Sequence, residues 1–169
     1  DPRVAQLAEE AASGRNRYEK SRNIENYLKT NFGYTLEQKA AGPQPLADFL
    51  FNVREGHCEY FATAMAIMLR TQGIATRIVN GFSRGDLNRA TNTYIVKQRH
   101  AHSWVEVYFP RDRAWVTFDP TPPAGIPADS AGFGSSVTNL LETLEVYWVQ
   151  YFVAFDSQEQ RTVFATARR

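Results

Sequence analysis

The chain contains one cysteine, Cys58, in the stretch Gly56-His57-Cys58-Glu59-Tyr60-Phe61-Ala62. A thiol with a reference pKa near ~8.5 is only a few per cent thiolate at neutral pH, so a nucleophilic cysteine needs an activator. The residues after Cys58 supply part of one. Phe61, Ala64, Met65, Met68 and Leu69 form a single apolar stripe at helical spacing, and Gly73 ends it, which predicts a buried helix with Cys58 in its first turn. A helix N-terminus carries partial positive charge and free N–H groups, and both favour a thiolate. Gly56 leaves room for close approach of backbone or substrate, and the backbone N–H of Cys58 becomes a natural oxyanion donor. Taken alone, the same motif reads equally well as a small buried hydrophobe.

Two further stretches carry chemistry: His100-Ala101-His102-Ser103-Trp104-Val105-Glu106 and Phe118-Asp119-Pro120-Thr121-Pro122. From His102 to Phe109 the residues alternate as in a strand. Val105, Val107 and Phe109 fall on one apolar face, and His102, Trp104, Glu106 and Tyr108 on the other. Ala114 to Phe118 reads as the next strand, joined through Pro110-Arg111-Asp112-Arg113 as an antiparallel hairpin. A register that sets His102 opposite Asp119, or diagonal to it, puts both on one face. A slip by one residue, or a bulge, separates them. A lone strand histidine is more often a satisfied or surface group than a catalyst, and Asp-Pro is a common turn starter.

Together the three weak signals are strong. A cysteine at a helix start, a histidine on a strand and an aspartate at the end of the next strand make a nucleophile, a base and an orienter. These motifs, with Leu69-Arg70-Thr71-Gln72-Gly73-Ile74-Ala75-Thr76-Arg77 between them, resemble the core of the transglutaminase-like superfamily. The likeness is closest to the soluble domain of bacterial membrane-anchored members. It is clear from Phe49 to Pro122 and looser around Ile24 to Tyr34 and Trp148 to Gln160.

The resemblance implies a papain-like fold and a Cys58–His102–Asp119 triad. It implies acyl transfer from a glutamine amide through a thioester on Cys58. An amine acceptor then gives an isopeptide bond, and water gives deamidation or, on a backbone amide, proteolysis. It also implies a protein or peptide substrate, and a protein embedded in the cytoplasmic membrane with this domain on its outer, periplasmic or cell-surface, side. A cysteine protease and a non-catalytic peptide-binding module are the competing readings. Animal transglutaminases are calcium-regulated and multidomain, whereas this chain has no clustered Asp/Glu run like a calcium loop. The expectation is therefore no cofactor and no required metal.

Other residues invite weaker readings. His57, Cys58, His100 and His102 resemble a zinc ligand set, but zinc leaves Asp119 unexplained and the triad does not. Tyr60 and Trp104 are candidate walls of a substrate groove, or simply packed aromatics. Tyr147, Trp148, Tyr151, Phe152 and Phe155 suit either a membrane surface or, the preferred reading, docking on the chain's own core. Phe49 and Phe51 read as core.

The elements that must position these groups follow from composition and patterning. With 169 residues, 43% hydrophobic and rich in aromatics (8 Tyr, 11 Phe, 3 Trp), the chain can bury a core and is not intrinsically disordered. A net charge of +1 with no basic block argues against nucleic acid as a partner. One cysteine excludes an internal disulfide. No stretch approaches the roughly 18–20 apolar residues of a membrane span. The richest run, Val146 to Phe155, is broken by Gln150. The opening Asp1-Pro2, with no initiator Met or signal peptide, reads as a piece of something longer.

Residues 1–32 have helical periodicity interrupted at Gly14, and a loop follows with Gly42, Pro43 and Pro45. Strands are expected at Ala75 to Phe82, Thr93 to Lys97, His102 to Phe109 and Ala114 to Phe118. Thr121 to Gly134 reads as loop and residues 137–155 as helix. The result is one α+β domain over residues 1–169, with core motifs in 49–122 and a helical tail in 137–169.

Overall fold

The structure, a computed structural model, describes residues 1–37, 39, 42–88 and 91–125. The helix and tail expected within residues 137–169 lie outside the described residues.

The first helix, α1 (Pro2–Ala11), starts where Asp1 caps it, the Asp1 carboxylate accepting from the Arg3 backbone N–H at 2.9 Å with Pro2 in the first turn. After the break at Gly14, α2 (Arg17–Asn31) begins at Asn16, whose side chain accepts from the Glu19 N–H. Ile24 and Leu28 on α2 are fully buried. The expected loop holds a short helix, α3 (Pro45–Asp48), running into a π-helical turn at Phe49–Val53. Phe49 lies in the core, 5.1 Å from the Phe32 ring and 5.2 Å from Phe61, while Phe51 packs partly buried against it.

The central helix α4 (Cys58–Thr71) starts at the cysteine and buries Phe61, Ala64, Met65, Met68 and Leu69, the stripe read from the sequence. Gly73, at φ +68°, lets the chain leave the helix in a left-handed turn. Two short strands that the sequence pattern does not reveal, β1 (Gly33–Tyr34) and β2 (Glu55–Gly56), pair in parallel, Tyr34 opposite Gly56. This pair ties the exit of α2 to the entry of α4.

The chain then forms β3 (Thr76–Phe82), a short hairpin of β4 (Asp86–Asn88) and β5 (Thr93–Ile95), then β6 (Ala101–Phe109) and β7 (Ala114–Phe118). Strands β3, β6 and β7 make an antiparallel sheet in that order, with β6 central. Val105, Val107 and Phe118 are buried in the core with α4, so the apolar face of β6 is the inner one. Helices packed on an antiparallel sheet place the chain in the α+β class. The described residues fall into two compact units, one of residues 1–84 and 97–125 and one of residues 85–88 and 91–96. The second holds the β4–β5 hairpin, with Asp86 opposite Ile95.

The register settles the hairpin alternatives. Val105 pairs with Phe118 and Glu106 with Thr117, so Asp119 continues opposite Trp104 and lies diagonal to His102 on the same face.

Candidate active site

Three elements converge on one cleft. Helix α4 presents Cys58 in its first position, where backbone N–H groups have no partner within the helix. Strand β6 presents His102 at its second residue, and the chain leaving β7 presents Asp119. His102 Nε2 and Asp119 Oδ2 are 2.7 Å apart, and the His102 side chain is only 7% exposed. Cys58 lines the same cleft as His102 and interacts with it electrostatically. With Nε2 engaged by Asp119, Nδ1 is the ring nitrogen left for the sulfur.

The electrostatics point one way. Burial pushes the Cys58 thiol up, but hydrogen bonds from His102 and from the Ser103 backbone outweigh it, and the thiol lies below its ordinary value. Hydrogen bonds to Asp119 and then to Cys58 raise His102 to about 9, against the opposing effect of burial. Burial also raises Asp119, but hydrogen bonds from His102 and from the Thr121 N–H, at 3.0 Å to Oδ1, more than offset it and hold the carboxyl below its ordinary range. All three directions favour a thiolate–imidazolium–carboxylate row over the neutral pair.

Asp119 is itself held by a residue that the sequence reading passed over. Glu25 on α2 is 3% exposed, and its Oε1 accepts the Asp119 backbone N–H at 3.1 Å. Arg22 at 2.6 Å and Lys29 at 3.0 Å neutralise it. One signal was available: Glu25 follows Ile24 and precedes Leu28 by three positions, a carboxylate on the stripe that the helix buries. Arg22 and Lys29 are partly exposed, so water takes them over when the carboxylate is removed. The cost of Glu25→Ala is then chiefly the unpaired Asp119 N–H, about 1–3 kcal/mol in urea unfolding. Glu25→Gln keeps an acceptor oxygen and is expected to recover most of that loss.

The cleft encloses about 620 Å³. Cys58 and His102 line it with His57 and Glu59, facing Tyr34, Asn80 and Gly81. Ser103, beside His102 and hydrogen-bonded through Oγ to Asn80 Oδ1 at 2.8 Å, is a second contributor that the sequence reading missed.

The two aromatic wall candidates lie elsewhere. Among the described residues lining the cleft, neither Tyr60 nor Trp104 appears. Tyr60 lines a neighbouring depression of about 310 Å³ with His57 and Glu59, and its ring stacks near Phe49 at 5.5 Å. The close approach that Gly56 permits is made by this ring: a Cβ on Gly56 would lie 3.0 Å from it, so the space goes to Tyr60 and not to backbone or substrate. Trp104 stacks on His102 at 6.2 Å and 26° and crosses Gly81, where a Cβ would meet the indole at 2.8 Å. Its ring thus lies beside the imidazole.

The zinc alternative loses its ligand set. His100 is buried in a short 3-10 turn with Nδ1 accepting the Lys97 N–H at 2.8 Å. Among the described residues no three His, Cys, Asp or Glu side chains form a metal-holding group.

The profile of the transglutaminase-like superfamily matches residues 5–120. The chain is 42% identical over 98 residues to a protein-glutamine gamma-glutamyltransferase of Pseudomonas aeruginosa, covering 58% of this chain and 14% of that protein. It is 40% identical over 114 residues to the uncharacterized protein YebA of Bacillus subtilis, covering 63% and 15%. The chain thus spans about one seventh of the length of these relatives. The crystal structure of the periplasmic domain of TgpA from Pseudomonas aeruginosa superposes with a TM-score of 0.64 at 37% identity, covering 70% of this chain and 42% of that one. The fold is therefore papain-like, in line with the sequence expectation.

Proposed function

Since the chain belongs to the transglutaminase-like superfamily, we propose that it is a thiol-dependent acyltransferase acting on glutamine side chains, with Cys58, His102 and Asp119 as its catalytic triad. The observation that carries this reading is the 2.7 Å contact of His102 Nε2 with Asp119 Oδ2, with His102 and Cys58 lining one open cleft.

In this reading the Cys58 thiolate attacks the glutamine carboxamide carbon, and the carbonyl electron pair moves onto oxygen. The backbone N–H of Cys58, at the positive end of α4, stabilises that oxyanion. As the oxyanion collapses, the C–N bond breaks and His102 gives its Nδ1 proton to the departing ammonia, leaving a thioester. The now neutral His102 takes a proton from an incoming amine as nitrogen attacks the thioester. The C–S bond breaks, the isopeptide forms and the thiolate–imidazolium pair is restored. Water in place of the amine gives glutamate. Asp119 keeps the imidazole oriented and stabilises its cationic form.

Protein glutamine donors and amine acceptors are the proposed substrates, in keeping with the name of the Pseudomonas aeruginosa relative, a protein-glutamine gamma-glutamyltransferase. A place outside the cytoplasm, in a larger protein embedded in the membrane, fits the periplasmic origin of the solved relative. Among the described residues no helix is long and apolar enough to cross a membrane.

The test is a glutamine-containing peptide incubated with a primary amine and read by mass spectrometry. Loss of ammonia with gain of the amine, without backbone cleavage, is the expected result. Cleavage without incorporation would establish a protease using the same triad, and neither product would leave a binding module.

A further inference from the structure

The depression of about 310 Å³ beside the cleft has no part in the mechanism above. His57 and Glu59 line both hollows, so the two adjoin at the start of α4. They differ in charge. Arg99 lines the cleft, whereas among the described residues lining the depression there is no Lys or Arg, and Glu59 is the one carboxylate. Pro45, Leu46 and the Tyr60 ring supply apolar wall. The Glu59 side chain is 67% exposed, and the nearest charge-bearing partner, His57 Nδ1, stands at 3.9 Å, beyond hydrogen-bond distance. Its carboxylate is therefore open to a ligand where the hollows adjoin. Cys58 and Glu59 are consecutive on the helix, with Cα atoms about 3.8 Å apart and side chains about 100° apart around the axis. A molecule with one end at the sulfur needs only a short chain to bring its other end to Glu59.

We propose that this depression is a subsite for acceptor amines that carry a second positive charge at their far end, a short alkyl diamine in the simplest case, with Glu59 as the specificity-determining residue. This rests on the acyl-transfer reading above and names the class of acceptor. The near nitrogen enters the cleft as the neutral amine and attacks the thioester carbon. The C–S bond breaks and the attacking nitrogen's proton goes to His102, as before. The far nitrogen takes no part in these bond changes. It stays an ammonium, since an alkyl amine has a pKa near ~10.4, and pairs with the Glu59 carboxylate while the methylenes lie on Leu46 and Tyr60. A monoamine of equal length puts a methyl group at that carboxylate and gains nothing there. The thiol is tuned by His102 and Ser103, so the charge on Glu59 is not what keeps Cys58 reactive.

The probes are 1,5-diaminopentane and hexylamine, which have the same length and differ in charge at the far end. With a glutamine peptide as donor, kcat/KM for the wild-type chain is expected to favour the diamine about fivefold, the size of an exposed ion pair, beyond the roughly twofold that two reactive ends give by count. In Glu59→Gln, which keeps the shape and removes the charge, the preference should fall to that roughly twofold count through a higher diamine KM. Glu59 also lies in the first turn of α4, where a carboxylate favours the helix. A purely structural part would lower turnover of both amines alike and leave their ratio. An unchanged ratio in the variant, or a wild type with no preference beyond the count, would overturn the proposal. Hydroxylamine, too short to reach Glu59, tells that failure from failure of the underlying reading. Hydroxamate without a diamine preference overturns the subsite alone, and no product from any of these acceptors overturns acyl transfer and the subsite with it.

Discussion

Replacing Cys58 by serine is expected to lower amine incorporation at least roughly 10⁴-fold while leaving the unfolding midpoint nearly unchanged. In the proposed mechanism each half of the reaction passes through a bond to this sulfur. A serine hydroxyl in the same place has no comparable acidity, so His102 cannot hold it as an anion in the ground state. The exchange is nearly isosteric, and Cys58 is only partly buried at the start of α4, so packing is hardly disturbed. The loss should therefore appear in turnover and not in urea unfolding, and both belong in one experiment. Turnover surviving at a tenth of wild type or more would remove the sulfur from the chemistry.

The second large effect is on pH. His102→Ala takes away the hydrogen bond and the charge that depress the Cys58 thiol, while the burial that raises it remains. The burial and the Ser103 hydrogen bonds that remain oppose each other, so the thiol moves back up towards its ordinary value. Near pH 6.5 a thiol with a pKa of ~8.5 is about 1% ionised, so alkylation of the only cysteine should slow at that pH, with roughly 100-fold as the upper bound. The gap should close as pH rises past the ordinary thiol value. In the wild type, two profiles should part company. Alkylation needs only the thiolate, so it rises once Cys58 ionises and stays high. Turnover also needs the imidazolium proton for the departing ammonia, and His102 loses that proton as pH climbs through about 9. The sign follows from the direction of each shift: the depressed thiol sets an acid limb lying below the ordinary thiol value, and the raised histidine an alkaline limb near 9. Identical profiles for the wild type and His102→Ala would mean that no ion pair exists.

Much of the site was legible along the chain because its parts lie on regular elements. A stripe of Phe61, Ala64, Met65, Met68 and Leu69 fixes the start and face of α4, and the start is where Cys58 gains its setting. Alternation along β6 separates His102 from Val105 and Val107 without reference to any other segment. The short turn between β6 and β7 limits the register to a few choices, and in two of them His102 and Asp119 share a face. Residue types, period and turn length are local properties, and the order Cys58, His102, Asp119 needs nothing more.

What periodicity does not carry is the contact between segments far apart in sequence. The diagonal register became definite only with Val105 seen opposite Phe118. Glu25 reaches Asp119 across ninety-odd positions because α2 packs where β7 ends, and a lone carboxylate on an apolar stripe does not say what it binds. The β1–β2 pair is two residues long on each side, too short to show a period, yet it places Tyr34 in the cleft. Where the Tyr60 and Trp104 rings lie is likewise a matter of contact: they sit over Gly56 and Gly81, where an added Cβ would meet them. The candidate nucleophile, base and orienter are thus written in residue type and local period. The surroundings that tune them depend on which surfaces meet, because packing and long-range hydrogen bonds exist only once the chain has closed on itself.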